Sequence, residues 1–149
     1  MSKLIQRAHA AQSVIDEYYK QPLVWGKSDC AHLAAAVIIK LGHANPFKGI
    51  QKYTSETGAF KAMRRAGFTT LAEAVEKLGF ESIPPVSALS GDIVGYPGQG
   101  FGGVALGVAI GDGRFLGFAA GPDGQPICDH AKIADVAALG TMMAWRVTV

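Results

Sequence analysis

The chain has 149 residues, of which 49% are hydrophobic and 17% charged, so one domain spanning residues 1–149 can bury a core without disulfide or metal staples. The net charge is +2 and the Lys and Arg residues are scattered rather than gathered in a run, which argues against nucleic-acid binding. No apolar stretch has the length of a membrane span. The N-terminus lacks a signal-peptide pattern, so we expect synthesis in the cytoplasm.

The first half of the chain is predicted to be helical because apolar residues recur at helical spacing between good capping residues. Thr70-Leu71-Ala72-Glu73 is a capping box, and Gly42, Gly67 and Gly79 are suitable helix ends. The predicted helices run from about Leu4 to Lys20, Asp29 to Leu41, Ser55 to Arg65, and Thr70 to Gly79.

From Ser90 onward the pattern is typical of β-strands separated by turns. Gly111-Asp112-Gly113 predicts a tight hairpin, residues 97–103 form a glycine-rich loop, and residues 127–139 are ambiguous. The predicted strands are 92–96, 104–110, 114–119 and 143–149. The chain is therefore expected to be α+β, with residues 1–80 mainly helical, residues 90–149 mainly antiparallel sheet, and the helix that begins near Cys30 packed on that sheet.

Cys30 lies at the start of the second predicted helix, directly after Ser28 and Asp29, two good N-cap residues. The unpaired N–H groups of a first helical turn favour a thiolate, which is what a cysteine nucleophile needs. The alternative is that Cys30 is simply a small buried apolar residue. The second cysteine, Cys128, either pairs with it or, as is common in a reducing compartment, stays free.

Three motifs occur in the order found in the NlpC-type cell-wall cysteine peptidases, which are small relatives of papain. They are the pair Asp29-Cys30, the strand that begins Gly91-Asp92, and the segment from Gly107 to Gly113, Gly-Val-Ala-Ile-Gly-Asp-Gly. The chain resembles that family from about Trp25 to Ala119. The resemblance implies a papain-like fold with Cys30 as the nucleophile.

A second resemblance covers nearly the whole chain. A group of bacteriophage and prophage proteins, whose genes look like part of a tail-tip cluster, share a Trp before the Asp-Cys pair and a Lys/Arg-Gly…Tyr-Thr segment. Their other shared features are an Ala-Leu-Gly strand and a final Ala-Trp-Arg-Val. The corresponding residues here are Trp25, Lys48-Gly49 with Tyr53-Thr54, Ala105-Leu106-Gly107, and Ala144-Trp145-Arg146-Val147. This likeness implies a place in the virion tail, assembled in the host bacterial cytoplasm.

The sequence departs from the peptidases where their catalytic base should be. Ala105 occupies the position of that histidine, and Leu116-Gly117 stands where the third, orienting residue is expected. His130 is the candidate substitute base, with Asp129 or Asp92 as its orienter; otherwise it is a solvated histidine. His32 is only two residues from Cys30 and points to the opposite side of the helix, so it cannot serve.

Two functions are therefore expected, from different classes. The first is a structural tail-tip or tail-assembly component with a degenerate cysteine-peptidase fold, whose partners are other tail-tip or hub proteins. The second is an active cysteine peptidase or amidase that cleaves peptidoglycan stem peptides during phage entry, with Cys30, His130 and Asp29 at the site. No cofactor is expected. Cys128 and His130 with Cys30 or Asp29 match no usual zinc spacing.

Overall fold

The computed structural model describes residues 2–50, 52–98 and 103–149. The helices in these ranges are α1 (Lys3–Tyr18), α2 (Cys30–Lys40), α3 (Glu56–Arg65), α4 (Leu71–Lys77) and α5 (Ile133–Ala137). The strands are β1 (Glu81–Ile83), β2 (Ile93–Pro97), β3 (Val104–Gly111), β4 (Arg114–Ala120), β5 (Pro126–Lys132) and β6 (Met143–Arg146). Short 3₁₀ turns lie at Lys48–Ile50 and Pro85–Ser87. The predicted α+β class is confirmed.

The four predicted helices each begin at a Ser, Thr or Asp whose side chain accepts a hydrogen bond from the backbone N–H three residues on. One detail of the capping box differs from the prediction. Thr70 Oγ1 accepts from Glu73 N at 3.4 Å, but the Glu73 carboxylate bonds to the backbone N–H and hydroxyl of Thr69 rather than to Thr70. The hydrogen bonds that the Glu73 side chain returns in this capping box are therefore made with Thr69, one residue before the N-cap.

The six strands form one antiparallel sheet in the order β1-β6-β2-β3-β4-β5. The hairpin between β3 and β4 turns at Asp112 and Gly113, whose φ angles of 55° and 68° are the positive values that a type I′ turn requires. Arg114 to Ala120 pair residue by residue with β5. The hairpin predicted at these residues is confirmed.

Three parts of the sheet differ from the sequence-based boundaries. Residues 127–139 divide into β5 and α5, and the short strand β1 was not predicted. The last strand ends at Arg146 instead of running to Val149, because the backbone N–H of Val147 turns to Asp92 Oδ1 at 3.0 Å. Residues 99–102, the centre of the predicted glycine-rich loop, lie outside the described residues.

Helices cover both faces of the sheet. On one face α1, α2 and α4 pack on β3, with fully buried residues such as Leu33, Ile38 and Leu106 at the contact; each such side chain contributes about 1.5–3 kcal/mol. The other face carries a smaller apolar cluster that includes Tyr96, Ala105 and Ile133 of α5. The predicted packing of the Cys30 helix on the sheet is confirmed. None of the described helices is both long and apolar enough to cross a membrane.

Candidate active site

Cys30 is the first residue of α2, and its side chain is 7% exposed. Asp29 caps the helix in an extended conformation, and its side chain accepts a hydrogen bond from the backbone N–H of His32 in the first turn. Backbone N–H groups of Cys30, Ala31 and Leu106 on β3 lie within hydrogen-bonding reach of the sulfur. The predicted position of Cys30 at a helix N-terminus is correct.

The protonation of Cys30 differs from what that position alone predicts. Burial raises the pKa of the thiol to about 12, and the nearby Asp29 charge acts in the same direction, while the backbone N–H groups offset only part of this. The thiol is therefore protonated at neutral pH. Cys128, on β5, is also buried and its pKa is likewise raised to about 12 by burial. Both cysteines are free.

Asp29 is fully buried and accepts four hydrogen bonds. Its Oδ1 accepts from the backbone N and Nδ1 of His32 at 3.0 and 2.8 Å, and its Oδ2 accepts from Gly26 N at 2.9 Å and Tyr53 Oη at 2.6 Å. Burial raises the pKa of this carboxyl, but the bonds from His32 and Tyr53 outweigh it and hold the pKa below its ordinary value. Asp29 is thus an ionised cap that joins a loop, a helix and a distant tyrosine.

The partners of Asp29 include residues that the sequence did not predict. His32, which the sequence excluded only as a base for Cys30, is half-buried; its ring meets that of Tyr53 edge-on at 6.2 Å, and the bond to Asp29 raises its pKa. Gly26 has φ +86°, and a Cβ there would collide with the carbonyl oxygen of Tyr53. The Asp29-x-x-His32 spacing was the only local signal for this network.

The strand side of the site has no base at the positions where the resemblance expects one. Ala105 on β3 is paired with Tyr96 on β2, and a Cβ at Gly98 would lie 2.6 Å from the Ala105 methyl group. A Cβ at Gly117 on β4 would collide with the Tyr96 hydroxyl. Neither position carries a titratable side chain, and both border the groove described below.

The Tyr96 ring lies on the face that carries Ala105 and beside Gly117. Its hydroxyl donates to the Phe118 carbonyl at 3.1 Å, and its ring contacts Phe115 with centroids 5.1 Å apart. Burial, with a further contribution from Cys30, raises the pKa of this phenol. Tyr96 is consequently neutral and its proton is bonded to a carbonyl, so it cannot act as a base for Cys30.

His130 lies on β5, opposite Leu116 on β4. The Nδ1 atom of His130 is 3.0 Å from Arg114 Nη1, and its Nε2 atom is 4.0 Å from Asp129 Oδ1. The His130 ring stacks on the ring of Tyr19, with centroids 6.1 Å apart. Cys30 approaches the sheet at β3, and β4 lies between β3 and β5. The strand that carries His130 is therefore two strand spacings, about 10 Å, from β3. Among the described residues, no hydrogen bond or ion pair joins His130 to Cys30, and that pairing stays a prediction.

The two candidate orienting carboxylates are engaged elsewhere. Asp92 is fully buried and bonds to Arg7 Nη1 at 3.0 Å, Arg146 Nε at 2.8 Å, and the backbone N–H groups of Leu89 and Val147 at 2.8 and 3.0 Å. It therefore ties β2 to α1 and to the end of β6. Asp129 is bonded to Lys20 Nζ at 2.7 Å, and that bond lowers its pKa.

A groove of about 690 Å³ is bordered by Cys30 and by residues of β2, β3, β4 and β5. Its lining combines apolar side chains, including Trp25 and Phe118, with the polar groups of Glu56, Asp129 and His130. This volume is that of a small-molecule or peptide site. Cys30 and His130 both border the groove, but Cys30 lies beside backbone N–H groups of α2 and β3, whereas His130 contacts Arg114 and Tyr19.

The described part of the chain contains no group of three or more His, Cys, Asp or Glu side chains that could hold a metal ion. The described residues form an antiparallel α+β domain with a buried, protonated cysteine at a helix start, and none of them forms a base hydrogen-bonded to that cysteine. The chain belongs to the family described as "Domain of unknown function (DUF6950)", which matches residues 2–147. No curated protein matches it.

Proposed function

We propose that this chain is a structural component of a bacteriophage tail tip with a papain-like, NlpC-related fold that no longer performs catalysis. The observation that carries the loss of catalysis is the state of Cys30: the thiol is buried, its pKa is raised to about 12, and Ala105 and Gly117 supply no base. A nucleophilic cysteine needs a base or a lowered pKa, and within the residues that the structure describes Cys30 has no hydrogen-bonded base and its pKa is raised.

The tail-tip assignment rests on the whole-length resemblance, and the contacts of the shared residues are consistent with it. Trp145 is buried, with 1% of its surface exposed, and Arg146 bonds to Asp92. Tyr53 bonds to Asp29. These residues contribute to the core and to the buried polar contacts of the fold, as expected for a family that keeps its architecture in order to assemble with tail-hub proteins.

The second candidate is a cysteine peptidase or amidase acting on peptidoglycan stem peptides. One observation favours it: the groove of about 690 Å³ that Cys30 borders. In that case a bound substrate or partner would have to bring a base to the thiol, since apo geometry of catalytic hydrogen bonds is often loose.

The two functions predict different phenotypes in a phage that carries this gene. Deleting the gene, replacing Cys30 by Ala, and replacing Cys128 by Ala as a matched buried control should be compared by electron microscopy and plaque counts. If the chain is structural, deletion gives incomplete tails, whereas both cysteine variants give complete and infective particles. Complete particles that fail to infect only in the Cys30→Ala variant would contradict the proposal and support the peptidase.

A further inference from the structure

Positive charge is concentrated in one segment of the chain. Although the basic residues form no continuous run, residues 48–65 contain five of them and a single acidic residue, Glu56. The rest of the chain carries nine basic and eleven acidic residues, a net charge of −2. The overall charge of +2 is therefore the sum of +4 in residues 48–65 and −2 in the rest of the chain.

Three of these cations lie on α3 and two lie in the preceding segment, which contacts α3; together they are here called the basic face: Lys48, Lys52, Lys61, Arg64 and Arg65. All five are exposed. The 3₁₀ turn that contains Lys48 packs against α3. The neighbour of Lys52, Tyr53, approaches the same helix, since a Cβ at Gly58 would lie 3.4 Å from that of Tyr53.

The basic face is not neutralised by the protein itself. In the described part of the chain, every ion pair formed by a Lys or Arg lies elsewhere: Arg7 and Arg146 with Asp92, and Lys20 with Asp129. The guanidinium of Arg64 lies over the ring of Phe60, 5.8 Å from its centroid, and Phe60 is itself 40% exposed. The basic face therefore includes an exposed aromatic ring.

Stability of α3 explains only part of this arrangement. Arg64 and Arg65 lie in the last helical turn, where cations interact favourably with the helix dipole. Lys61, however, has like charges three and four residues later on the same helix, a spacing that is destabilising. Lys48 and Lys52 lie outside the helix. Local stability therefore does not account for the accumulation of charge.

We propose that the basic face is a docking surface for an acidic patch on a partner protein. Helix α3 has 10 residues, which gives a length of about 15 Å. A compact acidic patch matches that extent, whereas a nucleic acid would continue onto the net-negative remainder of the molecule. The inference rests on charge alone and holds equally for a structural protein or an enzyme.

The test uses the full chain, with fluorescent poly-L-glutamate as the carboxylate probe and duplex DNA of equal charge as the phosphate probe. The test variant is Lys61→Glu/Arg64→Glu/Arg65→Glu. Its matched control, Lys3→Glu/Lys27→Glu/Lys132→Glu, makes the same change in net charge at exposed cations outside the basic face. Circular dichroism checks folding, and the corresponding triple Gln variant replaces the Glu variant if that one does not fold.

The expected result is salt-sensitive binding of polyglutamate by the wild type and the control, weakened about tenfold or more in the test variant. Equal loss in the control, or no binding by the wild type at low salt, would overturn the proposal. Tighter binding of DNA than of polyglutamate at the same salt concentration would also overturn it, because the occupant would then be a nucleic acid.

Discussion

The helix side and the strand side of the candidate site differ in how many polar contacts they keep. On the helix side, the buried Asp29 accepts four hydrogen bonds and fixes the residues that precede Cys30. On the strand side, Ala105 and Gly117 carry no polar side chain, and the Tyr96 hydroxyl bonds to a backbone carbonyl. The helix side therefore has a structural role that does not depend on catalysis.

The largest effect is expected when the Asp29 network is removed. Asp29→Ala leaves the Tyr53 hydroxyl, the Gly26 N–H and the first turn of α2 without their acceptor, and should lower the free energy of unfolding by about 3–5 kcal/mol. Urea denaturation measures this change. The exposed Asp16 on α1, which accepts one bond from Gln12, is the matched control, and Asp16→Ala should cost about 0.5 kcal/mol or less. Similar losses in the two variants would contradict the structural role of Asp29.

A smaller but more specific effect is expected on the strand side. Gly117→Ala puts a methyl group against the Tyr96 hydroxyl, and such overpacking should destabilise the fold by about 1–3 kcal/mol. Tyr96→Phe removes the hydroxyl and alone should cost about 1 kcal/mol, the value of its hydrogen bond. In the double variant the two losses should sum to less than their separate values. Strict additivity in urea denaturation would show that Tyr96 does not fill the space beside Gly117.

The smallest expected effect is on the pH dependence of stability, to which His32 and its partner Asp29 contribute in different pH ranges. Because Asp29 raises the pKa of His32, this pair stabilises the fold fully below pH 6.5, the ordinary His value, and the stabilisation is lost as pH rises through the folded pKa. Asp29 has a lowered pKa, so its own contribution is present above its ordinary pKa and is lost only in acid. The wild type should therefore lose stability relative to His32→Gln as the pH rises above 6.5. If the free energies of unfolding of the two proteins change in parallel with pH, the His32–Asp29 pair does not contribute to stability.

The elements that were predicted from the sequence are those with local signals. Asp29, Ser55 and Thr70 cap their own helices, and Asp112-Gly113 forms its turn within four residues, so neighbouring residues were sufficient. Strand β1 has three residues and exists through pairing with β6, more than 60 residues further along the chain. That pairing left no local pattern.

The site was predictable to a similar extent. The position of Cys30 and the missing base at Ala105 follow from spacing along the sequence. The bond from Tyr53 to Asp29 and the contact of Tyr96 with Gly117 join residues more than 20 positions apart, and only the packed structure brings them together. The burial that raises the Cys30 pKa is likewise a property of the assembled core, which is why the helix N-terminus alone suggested a thiolate.

The most direct test of the central claim, that Cys30 is not an activated nucleophile, is the pH dependence of its alkylation by iodoacetamide. The experiment uses Cys128→Ser as the background and compares it with the same protein carrying His130→Ala. A thiol pKa raised to about 12 predicts slow alkylation that shows no titration below pH 9 and is the same in both proteins. A thiol pKa well below about 8.5 that rises in His130→Ala would contradict the account, because it would show a thiolate–imidazolium pair.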